Sequence, residues 1–161
     1  MPFRIEKLEK HDRSAFDCGT EVLNRYLQRQ AGQDQRKRVA VCFVAVDDES
    51  ETIAGFYTLS SGSLDLDRLP EALKNKLPRY QVVPVVVMGR LAVATSAQGL
   101  GLARALLFDA TEKVETLNVG AFALLVDAKD EETEAFYLHH GFMKLESRDD
   151  DERTLVMPIA R

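Results

Sequence analysis

The sequence predicts an α/β fold in which a mixed sheet is flanked by helices. Segments with strand-like alternation and segments with helical periodicity follow one another along the chain. Apolar runs at 85–93 and 122–126 are typical of central strands that are covered on both faces. The first run leads into a glycine-bearing turn that opens a helix. A length of 161 residues suits one domain spanning residues 1–161.

Seven strands are predicted from runs of β-branched and aromatic residues that are bounded by turn residues. The predicted strands cover residues 3–8, 39–46, 53–61, 84–93, 122–126, 142–147 and 154–159. Pro84 can open its strand because proline is tolerated at a strand start. The polar residues 47–51 predict a hairpin turn, and the acidic residues 149–152 predict a turn between the last two strands.

Four helices are predicted between these strands from apolar residues at helical spacing. They cover residues 21–31, 66–76, a stretch from the glycine turn to about 119, and 130–140. Gly32, Gly120 and Gly141 are expected to end the first, third and fourth helices. The order is therefore β-α-β-β-α-β-α-β-α-β-β.

Composition excludes several classes of protein. The hydrophobic content of 45% is ordinary for a globular protein, and no apolar stretch approaches a membrane span. The N-terminus lacks the features of a signal peptide, so we expect a cytoplasmic protein. Cys18 and Cys42 are expected to be reduced thiols, with a single disulfide as the alternative. No zinc pattern occurs, and the adjacent His139 and His140 suit a shared metal poorly, so no metal site is predicted.

Charge is distributed unevenly in a chain with a net charge of −5. A strongly basic chain would indicate nucleic acid directly, and this chain is acidic. Two segments are nevertheless basic. Their cationic residues are Arg25, Arg29, Arg36, Lys37 and Arg38 in the first segment and Lys74, Lys76 and Arg79 in the second. Such clusters are commonly solvated surface, but a local basic face can also bind RNA on an acidic protein.

The most informative motif is the turn Gln98-Gly99-Leu100-Gly101-Leu102-Ala103. The first amides of the helix that follows lack partners inside it, and the helix dipole adds partial positive charge there. Small residues let a phosphate approach this backbone closely. The turn therefore predicts a site for a phosphorylated cofactor, with glycines chosen only for packing as the alternative.

Two common phosphate-binding motifs do not fit this turn. A dinucleotide-binding fingerprint needs a third glycine where Arg104 stands, and a P-loop needs a Gly-Lys-Ser/Thr triplet that is missing. The remaining pattern, Gln98-x-x-Gly101-x-Ala103, resembles the pyrophosphate loop of the GCN5-related N-acetyltransferases, the GNAT superfamily. A second segment, Phe136-Tyr137 followed by Gly141-Phe142, resembles the last helix of GNAT domains.

The resemblance implies a mostly antiparallel sheet with splayed central strands and acetyl-CoA as the cofactor. The pantetheine arm would pair with the backbone of Leu91, Ala92 and Val93, and the N–H of Val93 would face the thioester carbonyl as an oxyanion donor. The pyrophosphate would lie on a set of seven residues. These are Gln98, Gly99, Leu100, Gly101, Leu102, Ala103 and Arg104.

Tyr137 is assigned two roles by the same resemblance, contact with the cofactor and proton donation to the departing thiolate. A tyrosine hydroxyl with an ordinary pKa of about 10 suits that proton transfer. Phe136 joins the cofactor-binding set, although Phe136 and Phe142 by themselves are typical of core aromatics. The sequence contains no obvious general base. This favours an acceptor amine of low pKa, such as an α-amino group with a pKa of about 7.7 to 8.0.

The N-terminal half makes the resemblance more specific. Segments such as Phe16-Asp17-Cys18-Gly19, Ile53-Ala54-Gly55-Phe56-Tyr57 and Gly89-Arg90-Leu91-Ala92-Val93 are similar to the GNAT toxins of type II toxin–antitoxin systems. That similarity implies acetylation of the amino group of aminoacyl-tRNA, a ribbon-helix-helix antitoxin as partner and a homodimer. The eight basic residues named above would then contact tRNA phosphates, and Arg90 would order the substrate end or support Tyr137.

Three other interpretations are weighed against the toxin. One is a solitary GNAT acetyltransferase that acts on a small amine or a protein amine. Another is a non-catalytic module that binds acyl-CoA or a protein partner, which an intact turn and Tyr137 disfavour. The last is a dinucleotide-binding unit, which Arg104 and the short chain disfavour.

Overall fold

The computed structural model describes residues 2–146 and 153–159. It contains seven strands, in the predicted order relative to the helices. The strands are β1 (Phe3–Lys7), β2 (Val41–Asp47), β3 (Ile53–Asp65), β4 (Val82–Val93), β5 (Ala123–Asp127), β6 (Met143–Lys144) and β7 (Thr154–Pro158).

Five α-helical segments connect them. These are α1 (Glu21–Arg25), α2 (Ala31–Arg36), α3 (Glu71–Lys74), α4 (Leu102–Glu115) and α5 (Glu131–His139). A π-helical turn, Tyr26–Gln30, joins α1 to α2, and 3-10 turns occupy Leu66–Arg68 and Thr95–Ala97.

The strands form one mixed sheet in the order β1-β2-β3-β4-β5-β7-β6. The pairs β1–β2, β2–β3, β5–β7 and β6–β7 are antiparallel. The pair β4–β5 is parallel, with a ladder that runs from Val85 opposite Ala123 to Met88 opposite Val126. The predicted fold class, an α/β fold with a mixed and mostly antiparallel sheet, is confirmed.

The chain divides into two compact units. The first unit contains the N-terminal part up to Ser60 together with Gly89–Glu112, and the second contains Ser61–Met88 and the C-terminal part from Lys113. In the first unit, Phe16 and Tyr26 pack on Phe56 with ring centroids 5.5 and 6.2 Å apart. In the second unit, a core cluster includes Leu69, Leu73 and Val156, all almost fully buried.

The first helical segment is longer than predicted, because Gly32 does not end it. A side chain at Gly32 would come within 3.2 Å of Arg13 Nη1, so this glycine makes room for a neighbouring side chain. The segment instead ends where Arg38 adopts a left-handed backbone with φ of 62°. A residue of this conformation commonly follows a helix C-terminus.

The predicted helix at 66–76 is wrong as one element. Pro70 divides it into a 3-10 turn and the short α3. Proline disfavours helical backbone at the preceding residue, and Leu69 is accordingly extended with ψ of 147°.

The third helix also ends earlier than predicted, at Glu115 instead of about 119 with Gly120 as its cap. Val114 is buried, whereas Leu117 and Val119 are exposed. A continued helix would therefore gain little burial from those positions.

Several strand boundaries differ as well. β3 continues to Asp65, and Gly62 within it leaves room for Val87, whose Cγ2 would lie 2.8 Å from an added Cβ. β4 begins at Val82, before Pro84. The strand predicted at 142–147 is reduced to β6, although its last residue and the predicted acidic turn at 149–152 lie outside the described residues.

Cys18 and Cys42 are both free thiols. Within residues 2–146 and 153–159, no helix is long and apolar enough to cross a bilayer. The same residues contain no group of three or more side chains arranged to hold a metal ion.

Candidate active site

The glycine turn (residues 98–103) follows β4 as the sequence predicts. A 3-10 turn comes first, and α4 begins at Leu102. Gly99 and Gly101 have φ of 82° and 78°. A Cβ added to either glycine would meet nothing within 4 Å, so glycine is required here by backbone conformation and not by crowding.

The start of α4 has the features of an anion site. The helix has 14 residues, and its first amides lack carbonyl partners one turn earlier. The amide of Ala105 already bonds to the carbonyl of Gly101, 3.1 Å away. Gly99, Leu100 and Gly101 are exposed, so an anion can reach the backbone from solvent.

Gln98 holds the turn against the end of β4. Its Nε2 donates to the carbonyl of Val93 over 3.2 Å and to the carbonyl of Cys18 over 3.5 Å. The sequence assigned Gln98 to pyrophosphate contact. The structure gives its side chain a second task, because the amide group ties the turn to the strand that precedes it.

Strand β4 extends beyond the residues that pair with β5. The ladder covers Val85–Met88, and Gly89–Val93 extend further along the same strand. Ala92 is buried, whereas Leu91 and Val93 are half-buried. The three residues predicted to face the cofactor thus form one continuous piece of strand that leads into the turn.

Arg104 lies on the exposed side of the first turn of α4. Its guanidinium carbon is 5.3 Å from the centroid of the Phe108 ring, one helical turn further on. Phe108 is itself 56% exposed. Arg104 and Phe108 therefore present a cation and an aromatic ring to solvent beside the glycine turn.

Tyr137 lies on α5 in the second unit. The side chain of Asp130 caps this helix by accepting from the Thr133 amide over 2.8 Å. Tyr137 is 4% exposed, and its ring contacts Phe136 and Phe142 at 5.4 and 5.2 Å. Burial raises the pKa of the Tyr137 hydroxyl, because a phenolate would lose its hydration there. The hydroxyl is therefore protonated at neutral pH.

The backbone at the C-terminal end of α5 holds Tyr137 in place. Gly141 has φ of 96°, and the amide of Phe142 donates to the carbonyl of Tyr137 over 3.1 Å. His140 stacks on Phe136 with centroids 4.5 Å apart, and its Nδ1 lies 2.7 Å from the Phe136 carbonyl oxygen. Sequence reasoning missed this role of His140, although its spacing of four residues from Phe136 is that of neighbours on a helix surface.

Arg90 stacks on an aromatic ring in the first unit. Its guanidinium carbon is 3.5 Å from the centroid of the Tyr26 ring, and Tyr26 lies in the π-helical turn. The Tyr26 hydroxyl donates to Asp34 Oδ2 over 2.9 Å. The sequence places Tyr26 within the predicted helix at 21–31 and gives no sign of this contact.

The basic residues fall into two groups of different character. Arg25, Arg29, Arg36, Lys37 and Arg38 are all exposed on one helical segment and the residues just after it. Arg25 has an ion-pair partner in Glu21, 3.9 Å away.

In the second basic group, one residue already forms ion pairs with carboxylates of the protein. Lys74 is half-buried and lies 3.5 Å from Glu71 and 3.8 Å from Glu146, whereas Lys76 and Arg79 are exposed. Lys74 is therefore a poorer candidate for phosphate contact than sequence alone indicated, because nearby carboxylates already partly neutralise it.

Comparison with known proteins assigns the fold and the turn to a family. The family model of the acetyltransferase (GNAT) domain matches residues 77–159, which include β4, the glycine turn and α5. A "tRNA-acetylating toxin" of Mycobacterium tuberculosis is 34% identical over 162 residues, which cover 99% of this chain and 93% of the relative.

Solved structures agree with this assignment. The structure of AtaT complexed with acetyl-methionyl-tRNAfMet superposes with a TM-score of 0.88 and 30% identity, covering 98% of this chain and 95% of that one. A tyrosine-to-phenylalanine mutant of the AtaT toxin, bound to the C-terminus of the antitoxin AtaR and to acetyl-CoA, gives a TM-score of 0.80 and 27% identity, with coverage of 98% and 93%.

The fold and the turn thus define an acyl-transferring enzyme. The chain belongs to the GNAT acetyltransferase family. It is an N-acetyltransferase that uses acetyl-CoA as its acetyl donor.

Proposed function

We propose that this acetyltransferase is a toxin that acetylates the α-amino group of aminoacyl-tRNA and thereby blocks translation. The observation that carries the proposal is the match to a tRNA-acetylating toxin, which extends over 99% of the chain. The match includes the N-terminal basic segment, which lies outside the acetyltransferase family model.

The reaction is a direct attack of the amine on the thioester. The amine nitrogen forms a bond to the acetyl carbonyl carbon and gives up one proton to water, the carbon–sulfur bond breaks, and coenzyme A leaves as a thiolate. The amine must be neutral to attack. An α-amino group, with a pKa of about 7.7 to 8.0, is at least about half neutral at pH 8, whereas a lysine amine with a pKa of about 10.4 is almost entirely charged.

We assign the steps to the residues as follows. The backbone of Leu91, Ala92 and Val93 pairs with pantetheine, and the Val93 N–H stabilises the oxyanion. Residues 98–104 hold the pyrophosphate, where helix-start amides and the Arg104 charge favour an anion. Tyr137, kept protonated by burial, gives its proton to the departing thiolate, and Phe136 supports the cofactor site.

The proposal extends to organisation and partners. Residues 1–161 act as one acetyltransferase domain in the cytoplasm, where charged tRNA is found. The toxin is held inactive by a ribbon-helix-helix antitoxin and works as a homodimer. The support for an antitoxin is the AtaT relative bound to the C-terminus of AtaR.

The test supplies labelled acetyl-CoA to the pure protein with a pool of charged tRNA, and with deacylated tRNA as the control. We expect label on charged tRNA alone, released with the amino acid as an N-acetyl product after mild base. Label on a protein or small amine but never on charged tRNA would favour a solitary acetyltransferase. Binding of acetyl-CoA with no transfer to any amine would favour a binding module.

Tyr137→Phe tests the proton donor. Phenylalanine keeps the ring contacts with Phe136 and Phe142 and removes only the acidic proton, so acetyl-CoA should bind with unchanged Kd. We expect kcat for charged tRNA to fall by about 10²- to 10⁴-fold, the usual contribution of general acid–base catalysis. Tyr80→Phe is the matched control, since Tyr80 is 69% exposed. Turnover by the Tyr137 variant equal to that of the parent would remove Tyr137 as the acid.

A further inference from the structure

Arg90 is a half-buried cation without a polar partner. Among the residues that the structure describes, its guanidinium makes no hydrogen bond and no ion pair. Its guanidinium carbon lies over the face of the Tyr26 ring, 3.5 Å from the centroid. A guanidinium carries five donors in a fixed plane. Stacking on an aromatic ring holds that plane in position but satisfies none of the donors.

The ring beneath Arg90 is itself held in place. The Tyr26 hydroxyl donates to Asp34 Oδ2, and Gln30 Nε2 donates to Asp34 Oδ1, each over 2.9 Å. These hydrogen bonds keep the pKa of the Asp34 carboxyl below its usual range, with a smaller effect from the Arg90 charge. No hydrogen bond or ion pair joins Arg90 to Asp34 in the described part of the chain, so the donors of Arg90 remain for another group.

The chain's helical geometry is unusual at this position. Tyr26 and Gln30 begin and end the π-helical turn. Single π-helical turns are rare in proteins, and those that do occur are often found at functional sites. Here both residues bond to the carboxylate of Asp34, and the Tyr26 ring lies under the Arg90 guanidinium.

Arg90 lies on the face of the sheet opposite α4. Tyr26 packs with Phe56, Ala92 and Ala94 in one core cluster. Gly55, next to Phe56 on β3, faces the other way, because an added Cβ there would contact Leu106 of α4 at 3.0 Å. The start of α4 carries the proposed pyrophosphate site, so Arg90 is directed away from it.

The surroundings favour a polyanion. Arg29, Arg36 and Lys37 are exposed on the same helical segment as Tyr26, in a chain whose net charge is −5. Arginine pairs with phosphate oxygens through two parallel hydrogen bonds, and such charge-assisted contacts are strong.

We propose that Arg90 binds a backbone phosphate near the aminoacylated 3′ end of the acceptor RNA and so contributes to substrate affinity. This inference rests on the proposed function. The same chemistry could come from a phosphate of the cofactor, and the experiment below separates the two sources.

The test compares Arg90→Met with the parent in two assays. The first assay measures kcat and KM for charged tRNA, and the second measures the Kd for acetyl-CoA by calorimetry. Loss of one charge-assisted contact should raise KM by about 10- to 100-fold with little change in kcat. The Kd for acetyl-CoA should stay within about twofold of the parent's. Arg90→Lys should recover part of the loss, because lysine keeps the charge but not the planar pair of donors.

The dependence of kcat/KM on salt concentration is a measurement that would not change if Arg90 had only a structural role. For single-stranded RNA, each phosphate contact contributes about 0.7 to the slope of log(kcat/KM) against log[salt]. Arg90→Met should reduce the slope by about that amount, whereas Arg90→Lys should leave it unchanged. Lys10→Met removes an exposed charge from the same unit and should alter neither KM nor slope. Near-equal Tm values would show that the variants are folded.

Several results would overturn the inference. A raised Kd for acetyl-CoA with unchanged KM for tRNA would assign the phosphate to the cofactor. A fall in kcat with unchanged KM and slope would show that Arg90 acts on the chemical step. If the parent enzyme transfers no acetyl group to charged tRNA, the proposed function itself fails, which is visible before any Arg90 variant is measured.

Discussion

At the scale of residues, Tyr137 is buried, and its hydroxyl makes no hydrogen bond within the described part of the chain. Its ring contacts the rings of Phe136 and Phe142. Burial raises its pKa, so the phenol stays protonated well above neutral pH. The donor is therefore present throughout the range in which an α-amino group loses its proton.

This ordering of pKa values predicts the pH profile. As pH rises, the acceptor amine becomes neutral with a pKa of about 7.7 to 8.0, so kcat/KM should increase and then level off. Loss of the Tyr137 proton would produce a descending limb, and its raised pKa places that limb above the ordinary tyrosine value of about 10. Initial rates at pH 6 to about 9, corrected for ester hydrolysis, check this expectation. A descending limb centred below pH 9 would contradict it.

Single residues differ in how far the sequence predicts them. Gly99, Gly101 and Tyr137 are predicted because each belongs to a short local pattern whose spacing is visible in the chain. The contact between Arg90 and Tyr26 is not visible, because it joins a strand to a helical segment far away in sequence. Gln98 was assigned to the cofactor, but the pattern gave no sign that its amide would bond to Val93 and Cys18.

At the scale of elements, the errors of prediction share a physical cause. Gly32 and Gly120 were expected to end helices from their residue type alone. The structure ends the first helical segment at Arg38 instead, and uses Gly32 to admit the side chain of Arg13. Whether a glycine ends a helix or makes room for a neighbour depends on tertiary contacts, and a local pattern does not contain them.

The packing of β3 against α4 provides a test at this scale. A Cβ on Gly55 would lie 2.9 Å from the Ala92 carbonyl oxygen and 3.0 Å from Leu106 Cδ1. Gly55→Ala should therefore lower the free energy of unfolding by about 1–3 kcal/mol, as overpacked substitutions do. Urea denaturation measures the change, with an unchanged m-value expected.

Gly120→Ala is the matched control for Gly55→Ala. No atom lies within 4 Å of a Cβ added at Gly120, and its φ is not in the left-handed region. We expect its free energy of unfolding to stay within about 0.5 kcal/mol of the parent's. Equal stability of the two alanine variants would show that Ala92 and Leu106 can move aside at no cost.

At the scale of the whole molecule, the net charge is negative, whereas one exposed segment is locally positive. The chain carries 26 acidic against 21 basic side chains, yet five basic residues are exposed on a single short segment. Acidic groups elsewhere are partly used within the protein, as in the cluster where Arg4 binds Glu6, Asp48 and Glu51. Under the proposed function, electrostatic attraction to RNA would therefore depend on where the exposed basic residues lie and not on the average of the molecule.

Charge reversal on that segment tests this view. The double variant Arg29→Glu, Lys37→Glu should lower kcat/KM for charged tRNA by about tenfold or more at low salt, and the difference should shrink as salt is added. Lys10→Glu is a control that reverses one charge at another exposed position, half the charge change of the double variant. The affinity for acetyl-CoA should be the same in all three proteins. Equal kcat/KM of the double variant and the control at low salt would contradict the expectation.

The glycine turn has a thermodynamic consequence for the enzyme. Its two left-handed glycines and the Gln98 hydrogen bonds restrict the conformation of the loop. A loop that is restricted in this way loses little conformational entropy when its ligand binds, and that saving increases affinity. The affinity for acetyl-CoA should therefore depend on the stiffness of this turn as well as on the groups that touch the cofactor.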